Sequence, residues 1–293
     1  MGAIGNIENK FIPALWSAKI LEALDKQLVY GELFNRDYEG DISAAGDTVH
    51  IGQVGDVTIK DYVAADDIAD PDDVNVTDQT LKIDQGDYFN IAVSDVAAVQ
   101  SKLSLLDEAT ARAGYGFGDK TDQYLAKLLH TGAGITDGLG TKQNPIVITS
   151  DNAYETLVHM KTALDKANVP KVGRKVVVPP EFEGFMLLDP RFVQVAVEDS
   201  QARLTEGTIY RGAGFDIRVS NNVPNEKGGS NSDKDVYSVI GTTPMQGTFA
   251  DQILKTEAYR PEKRFGDAVK GLHVYGAKIL RPKTVAKAVV AFK

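Results

Sequence analysis

Four histidines and no cysteine bound the chemistry open to this chain of 293 residues. Thiolate metal sites, cysteine nucleophiles and disulfides are excluded. His50, His130, His159 and His273 each stand without a second histidine three or four residues away, so a histidine metal centre has to be assembled by tertiary structure. The sequence holds no Gly-x-Ser-x-Gly elbow, no Gly-x-x-x-x-Gly-Lys-Ser/Thr phosphate loop and no His-Glu-x-x-His. Gly114-Tyr115-Gly116-Phe117-Gly118 follows no strand, and Gly132 to Gly138 has the wrong spacing for a dinucleotide loop. The cluster Asp66, Asp67, Asp70, Asp72, Asp73 and Asp78 has the composition of a calcium loop, but position six counted from Asp66 is Pro71 and position twelve is Thr77. It reads as a solvated acidic loop. We expect no catalytic residues, no metal and no cofactor.

Charge is distributed unevenly. The whole chain carries a net −9, and residues 41 to 100 hold thirteen Asp and no Glu against Lys60 and Lys82, a local −11. Residues 251 to 293 hold ten Lys or Arg against four acids, a local +6. A pI near 5.0 argues against a protein that wraps nucleic acid, because phosphate neutralisation needs surplus Lys and Arg on the contacting face. Composition is that of an ordinary globular protein, 43% hydrophobic and 25% charged, long enough for one or two domains. No signal core opens the chain and no run of eighteen apolar residues occurs. The default compartment on this reading is the cytoplasm.

The elements that would position these charges can be read from periodicity. Leu15, Ala18, Ile20, Leu21, Leu24, Leu28 and Phe34 recur at helical spacing and give an amphipathic helix ending near Gly31, packed on its own core or lying on a neighbour. Thr48 to Ile51 and Val54 to Ile59, then Thr80 to Ile83, read as strands on either side of the acidic stretch. A hairpin with so few apolar residues cannot bury much of itself, so either it is disordered in the monomer or something outside the subunit holds it. Ser94 is read as the cap of a long helix to His130, with Val96, Val99, Leu103, Leu106, Thr110, Ala113, Phe117, Thr121, Tyr124 and Leu128 in steps of three and four. Such a helix reaches roughly 55 Å. Gly114, Gly116 and Gly118 inside it each cost on the order of 1 kcal/mol against alanine and mark a bend, a close contact or a break.

Beyond a glycine-rich loop at 131–144, Pro145 to Ile148 reads as a strand. Asn152 to Val169 follows as a helix capped by Asn152 with Glu155. Val176 to Val178 is a buried strand, Pro180 opens a short helix to Leu188, and Phe215 to Val219 and Val236 to Ile240 are strands around a polar loop at 221–235. Leu272 to Ala291 reads as two final strands.

Several segments resemble the major capsid proteins of tailed bacteriophages. They are Phe11 to Ser17, Asn35 to Gly40, Gly46 to Val49, Val178 to Phe182, Asp189 to Phe192, Gly214 to Pro224, Glu257 to Phe265 and Val274 to Lys278. None is catalytic, and their weight lies in their order along nearly the whole chain. The resemblance implies an α+β Hong Kong 97-type capsid fold. Its parts would be an N-terminal arm (1–39), an extended loop (40–93), a peripheral domain with the long spine helix (94–144 and 249–293) and an axial domain (145–248).

It also implies a structural subunit, not an enzyme, forming hexamers and pentamers of an icosahedral phage head around double-stranded DNA held by weak non-specific contact. A portal protein, a decoration protein and a separate scaffolding protein would be partners, since the chain starts at the arm without a scaffolding segment. Lys60 lies on the extended loop but no crosslinking partner is visible. The virion is the implied location, with assembly in the bacterial cytoplasm and no membrane. The charge asymmetry places a subunit interface between Asp66, Asp67, Asp70, Asp72 and Asp73 of one copy and Lys255, Arg260, Lys263, Arg264, Lys270, Lys278, Arg281 and Lys283 of the next. Rival readings are an encapsulin-like nanocompartment shell around enzyme cargo, a cytoplasmic enzyme with an acidic lid loop, and a tail-tube protein.

Overall fold

The computed structural model describes residues 28–38, 48–54, 59, 73, 76–94, 105–189, 211–227, 235–262 and 266–292. Among these, strands β1 (Thr48–Val54) and β2 (Val76–Lys82) form an antiparallel pair in which Val49 faces Leu81. The acidic tip between them lies outside the described residues, apart from exposed Asp73. A three-stranded antiparallel sheet follows in the order β10 (Gly247–Tyr259), β11 (Gly266–Ile279), β3 (Gln85–Ser94). The third sheet, of seven strands, has β12 (Ala286–Phe292) and β9 (Asp235–Thr242) at its centre. On one side β12 pairs in parallel with β4 (Ile146–Ile148). On the other, β9 pairs with β5 (Lys175–Val178), which leads to β7 (Phe215–Val219) and β6 (Arg211–Gly212), while β8 (Asn225–Lys227) hangs on β9.

β5, β9 and β12 are apolar nearly throughout because both faces of this sheet are covered. Val176, Val178, Val239, Ala286, Ala288 and Val290 pack against helix α2 (Ala153–Lys166) through Leu157, Met160 and Leu164. Helix α3 (Pro180–Leu188) adds Phe182 and Met186 to the same core. Val177 and Ile240 point to the opposite face, where Leu125 and Leu129 of the long helix α1 (Leu105–Gly132) meet them with Tyr30, Leu33 and Phe249. Earlier in α1, Phe117 packs 5.6 Å from the Phe89 ring and 5.3 Å from the His273 ring of the three-stranded sheet. One helix therefore spans two sheets, its first half on the three-stranded one and its last turns on the seven-stranded one.

Several expectations need correction. Ser94 is not a helix cap: it ends β3, opposite Gly266, and α1 is described from Leu105, with 95–104 outside the described residues. The run Tyr88-Phe89-Asn90-Ile91-Ala92-Val93 is rich in strand formers, and pairing along ten residues of β11 carries the strand on to Ser94. Gly114, Gly116 and Gly118 do not break the helix, which runs 28 residues, roughly 42 Å. A Cβ at Gly116 would meet open space, so no close contact explains that glycine, and burial of the Phe117, Leu125 and Leu129 face outweighs the propensity cost. Asn152 precedes α2 but does not cap it. Its Oδ1 accepts from the Thr149 amide at 2.8 Å and its Nδ2 donates to Val147 O at 2.8 Å, which turns the side chain back onto the preceding turn.

Strand β10 was not foreseen, and β8 closes part of the loop expected at 221–235. The final strands are present as β11 and β12, but in different sheets. Of the amphipathic segment ending near Gly31, only Leu28 onward is described. There Leu28, Tyr30, Leu33 and Phe34 are buried in the chain's own core around a 3-10 turn at Gly31–Leu33. Asn35 then extends this segment along β10, donating to Gly247 O and accepting from Phe249 N.

Candidate assembly surfaces

The hairpin is rooted firmly. Ile51 from β1, Leu81 from β2 and Ile83 beyond it are buried against Ala250 and Val274 of the three-stranded sheet. Gly276 is where the roots cross, since a Cβ there would collide with the Lys82 carbonyl. On the exposed face of the hairpin, His50 Nδ1 lies 2.7 Å from Asp78 Oδ2. Past this root, between positions 64 and 75, the sequence is rich in Asp and poor in large apolar residues. Asp66, Asp67, Asp70 and Asp72 fall outside the described residues, and Asp73 is exposed.

The basic residues divide between two ends of the three-stranded sheet. Lys255 and Lys270 flank Glu257 on neighbouring strands: Lys270 Nζ is 2.9 Å from Glu257 Oε2, and Lys255 Nζ meets Oε1. Hydrogen bonds from Lys255, then Lys270, hold the Glu257 carboxyl below its ordinary range. Arg260 is exposed just beyond. Lys278, Arg281 and Lys283 are exposed at the opposite end, eight residues and roughly 26 Å along β11 from Lys270. Lys263 and Arg264 lie outside the described residues. Beside Lys255 and Lys270 the sheet face is partly apolar, with Tyr88 78% and Leu272 38% exposed. Asn90 and the Tyr259 hydroxyl hydrogen-bond each other there, and the Lys270 ammonium sits 5.3 Å over the Tyr259 ring. Tyr88, Asn90, Lys255, Glu257, Lys270 and Leu272 line a depression of about 400 Å³ there. Sequence reasoning named the lysines but not Tyr88, Tyr259 or Leu272, since only the strand register puts them on one face.

Polar groups converge elsewhere as ties between elements. At the end of α1, His130 Nδ1 is 2.8 Å from the Ser238 hydroxyl, and Nε2 is 3.6 Å from Glu226, whose other oxygen takes Lys142 at 2.7 Å. Lys287 Nζ donates to His130 O at 3.0 Å. Burial first, then Lys287 and Lys142, push the His130 imidazole below its ordinary value, against an opposing pull from Glu226. The grouping of serine, histidine and glutamate was invisible in sequence, with members 108 residues apart. Ser238 is 3% exposed on the central strand β9 and bonds the ring nitrogen next to Cγ, so the set fastens α1 to β8, β9 and β12. Around Glu32, Lys175 at 3.2 Å and Arg218 at 3.1 Å fasten the 3-10 turn to β5 and β7 and lower the carboxyl's affinity for a proton against the effect of burial. Lys120 Nζ lies 2.7 Å from Asp87 Oδ1, and the Tyr275 hydroxyl donates to Oδ2 at 3.0 Å. His159 pairs with Glu155 one turn earlier on α2, and buried His273 lies 3.4 Å from Asp251. No group of three or more His, Asp and Glu able to hold a metal occurs among the described residues.

An α+β chain whose long helix lies across two sheets, with a hairpin rooted on one of them, defines the Hong Kong 97-type capsid fold. A structure from Mycobacterium phage Che8 superposes with a TM-score of 0.70 at 31% identity, over 91% of each chain. The capsid structure of cyanophage P-SCSP1u gives 0.68 at 14% identity, over 86% of this chain and 85% of that one. The virus-like particle from Pyrococcus furiosus gives 0.53 at 15%, over 94% and 98%. No curated protein matches the sequence. The phage capsid protein family model matches residues 76–288. The chain belongs to that family: it is a structural major capsid protein, a component of the virion shell.

Proposed function

We propose that this subunit builds an icosahedral head of hexamers and pentamers around double-stranded DNA, and that it catalyses no reaction. The observation that carries this is the rooted hairpin, which is fixed at its base by Ile51, Leu81 and Ile83 while its acidic sequence has few large apolar residues of its own to bury. A loop built this way gains its contacts from a neighbouring copy. The acidic tip, Asp66, Asp67, Asp70, Asp72 and Asp73, docks on the neighbour's basic surface. Of the two ends of the sheet, the Lys255–Lys270 end with Arg260 supports this better, because Tyr88, Tyr259 and Leu272 add apolar area there. The arm comprises the segment up to about residue 39, the extended loop 40–93 and the peripheral domain α1 with β10 and β11. The axial domain is built on the seven-stranded sheet; β12, within the 249–293 stretch expected in the peripheral domain, pairs with β4 and β9 and is reassigned to it. Family membership supports a scaffolding protein, a portal and a decoration protein as partners, and assembly in the host cytoplasm.

Sedimentation velocity with negative-stain microscopy tests the reading, on the subunit alone and with scaffolding protein. Closed shells are expected, and tubes would overturn it. Changing Asp66, Asp67, Asp70, Asp72 and Asp73 to Lys should block assembly while leaving the subunit folded. Unaltered assembly would remove the electrostatic part. Co-purification of an enzyme inside shells free of DNA would favour a nanocompartment instead.

A further inference from the structure

Two depressions adjoin where the last turn of α1 passes β8. One, of about 250 Å³, is lined in part by Lys142 and Lys287, and the other, of about 560 Å³, by Lys127 and Asn221. His130 and Glu226 line both, so the two form one groove. Backbone pairing sets its walls. The loop after α1 runs along β12, with Lys287 N donating to Ile135 O at 2.9 Å and Val289 N to Leu139 O at 2.8 Å, and Lys142 follows on that loop. Among the described lining residues Glu226 is the only carboxylate, and Lys142 Nζ already donates to it at 2.7 Å. Lys287 Nζ spends one donor on His130 O at 3.0 Å, and Lys127 is exposed on α1. Neither has a carboxylate within ion-pair distance among the described residues. Asp119, two turns before Lys127 on α1, accepts Asn222 Nδ2 at 2.9 Å and does not line the groove. The chain as a whole carries −9, so this surplus of positive charge is local.

We infer that this groove takes the sugar-phosphate backbone of the packaged double-stranded DNA, without reading its sequence. The inference rests on the reading of the shell as a DNA-filled head and names the surface that meets the DNA. A phosphodiester only accepts hydrogen bonds, and the groove supplies donors to it: the ammonium groups of Lys127 and Lys287, the exposed hydroxyls of Thr136 and Thr141, and the amide of Asn221. Thr141 Oγ1 accepts from Asn144 N at 3.1 Å, which leaves its own proton to donate. Duplex DNA suits the groove better than a single strand. Among the described residues that line it there is no Phe, Tyr or Trp, so an unpaired base finds no ring to stack on. Two cations without a carboxylate partner neutralise about two phosphates, which makes the contact weak and dependent on salt. Affinity then falls about tenfold between 50 and 200 mM salt.

Fluorescence anisotropy of a short labelled duplex, titrated with the full-length unassembled subunit, tests it. The slope of log affinity against log salt should be about −2 for the wild type, and the same for two duplexes of unrelated sequence. Lys127→Gln with Lys287→Gln should take about 1 from the slope for each lysine replaced. Lys255→Gln with Lys270→Gln, far from the groove on the three-stranded sheet, should leave it unchanged. An unchanged slope in the Lys127→Gln, Lys287→Gln protein would overturn the groove, as would a wild-type subunit that binds no duplex at about 50 mM salt. Should that double variant fail to fold, Lys127→Gln alone carries the test, because Lys127 is exposed: a slope reduced by about 1 supports the groove, and an unchanged one overturns it. Shells that purify without DNA would count against the head reading and not against the groove, since the slope is read on the subunit alone.

Discussion

The guanidinium of Arg174 lies 2.7 Å from Asp165 and is itself buried to 1% side-chain exposure, while the aspartate remains a third exposed. The same group donates to Val169 O at 2.6 Å and, through Nε, to Pro170 O at 2.9 Å, closing the turn from α2 to β5. Two backbone carbonyls thus depend on one side chain. Arg174→Met fills similar volume but leaves those acceptors without a donor, and should destabilise the unassembled subunit by about 3 kcal/mol in urea unfolding. A loss under 1 kcal/mol would mean that water replaces the guanidinium.

Gly271 sits directly opposite Phe89 in the β11–β3 ladder, and a Cβ there would strike the Phe89 ring. That ring cannot retreat freely, because it packs on Phe117 of α1. Gly271→Val should therefore cost about 2 kcal/mol through overpacking, despite the higher strand propensity of valine. Combining it with Phe89→Ala should cost less than the sum of the two single changes, since the valine then occupies vacated space. Strict additivity in denaturant titrations would show that the two positions do not compete.

What could be read from sequence follows a physical division. The β5, β7, β9 and β12 segments and helices α2 and α3 declare themselves through apolar runs or alternation, Pro180 and helical spacing, because each is buried by its own neighbours. β3 and β10 do not. Their residues alternate incompletely, with Asp87, Asn90, Lys255 and Glu257 interspersed, and they become strands because β11 pairs with both. The same limit applies to the surfaces. Charge asymmetry along the chain marks the lysines, yet whether Lys255 and Lys278 form one patch depends on their separation along β11, which composition does not contain. Lys127, Lys142 and Lys287 are not singled out at all, since nothing local distinguishes them from other lysines of the chain.

Lys255 and Lys270 are exposed, so replacing both with Gln should leave the fold intact while weakening shell assembly. Glu257 loses both ion-pair partners in that variant, so this face keeps a carboxylate that would repel an acidic loop docked there. The subunit concentration needed for assembly, read by light scattering, should rise about tenfold at low salt, with a smaller difference at 0.5 M salt, where screening shortens the reach of exposed charges. Lys278→Gln with Lys283→Gln serves as the comparison at the far end of the sheet. An equal effect there would show that the loop does not choose between the two ends.

At the C-terminal end of α1, acid should weaken the tie made by His130. His130 is held below its ordinary value, first by burial and then by Lys287 and Lys142. An unfolded chain therefore takes up this proton before the folded one does. Stability from this site is present above the ordinary histidine value and is lost as pH falls from there through the folded value. Protonation would also set a third positive charge beside Lys142 and Lys287, with Glu226 the carboxylate that faces it. His130→Asn keeps a polar partner for Ser238 and cannot titrate. Measured by urea unfolding at pH 7.5 and 5.5, it should lose less stability on acidification than the wild type does. An identical loss in both proteins would place the acid sensitivity elsewhere, and Ser238→Ala at pH 7.5 would then report only the hydrogen bond at 2.8 Å.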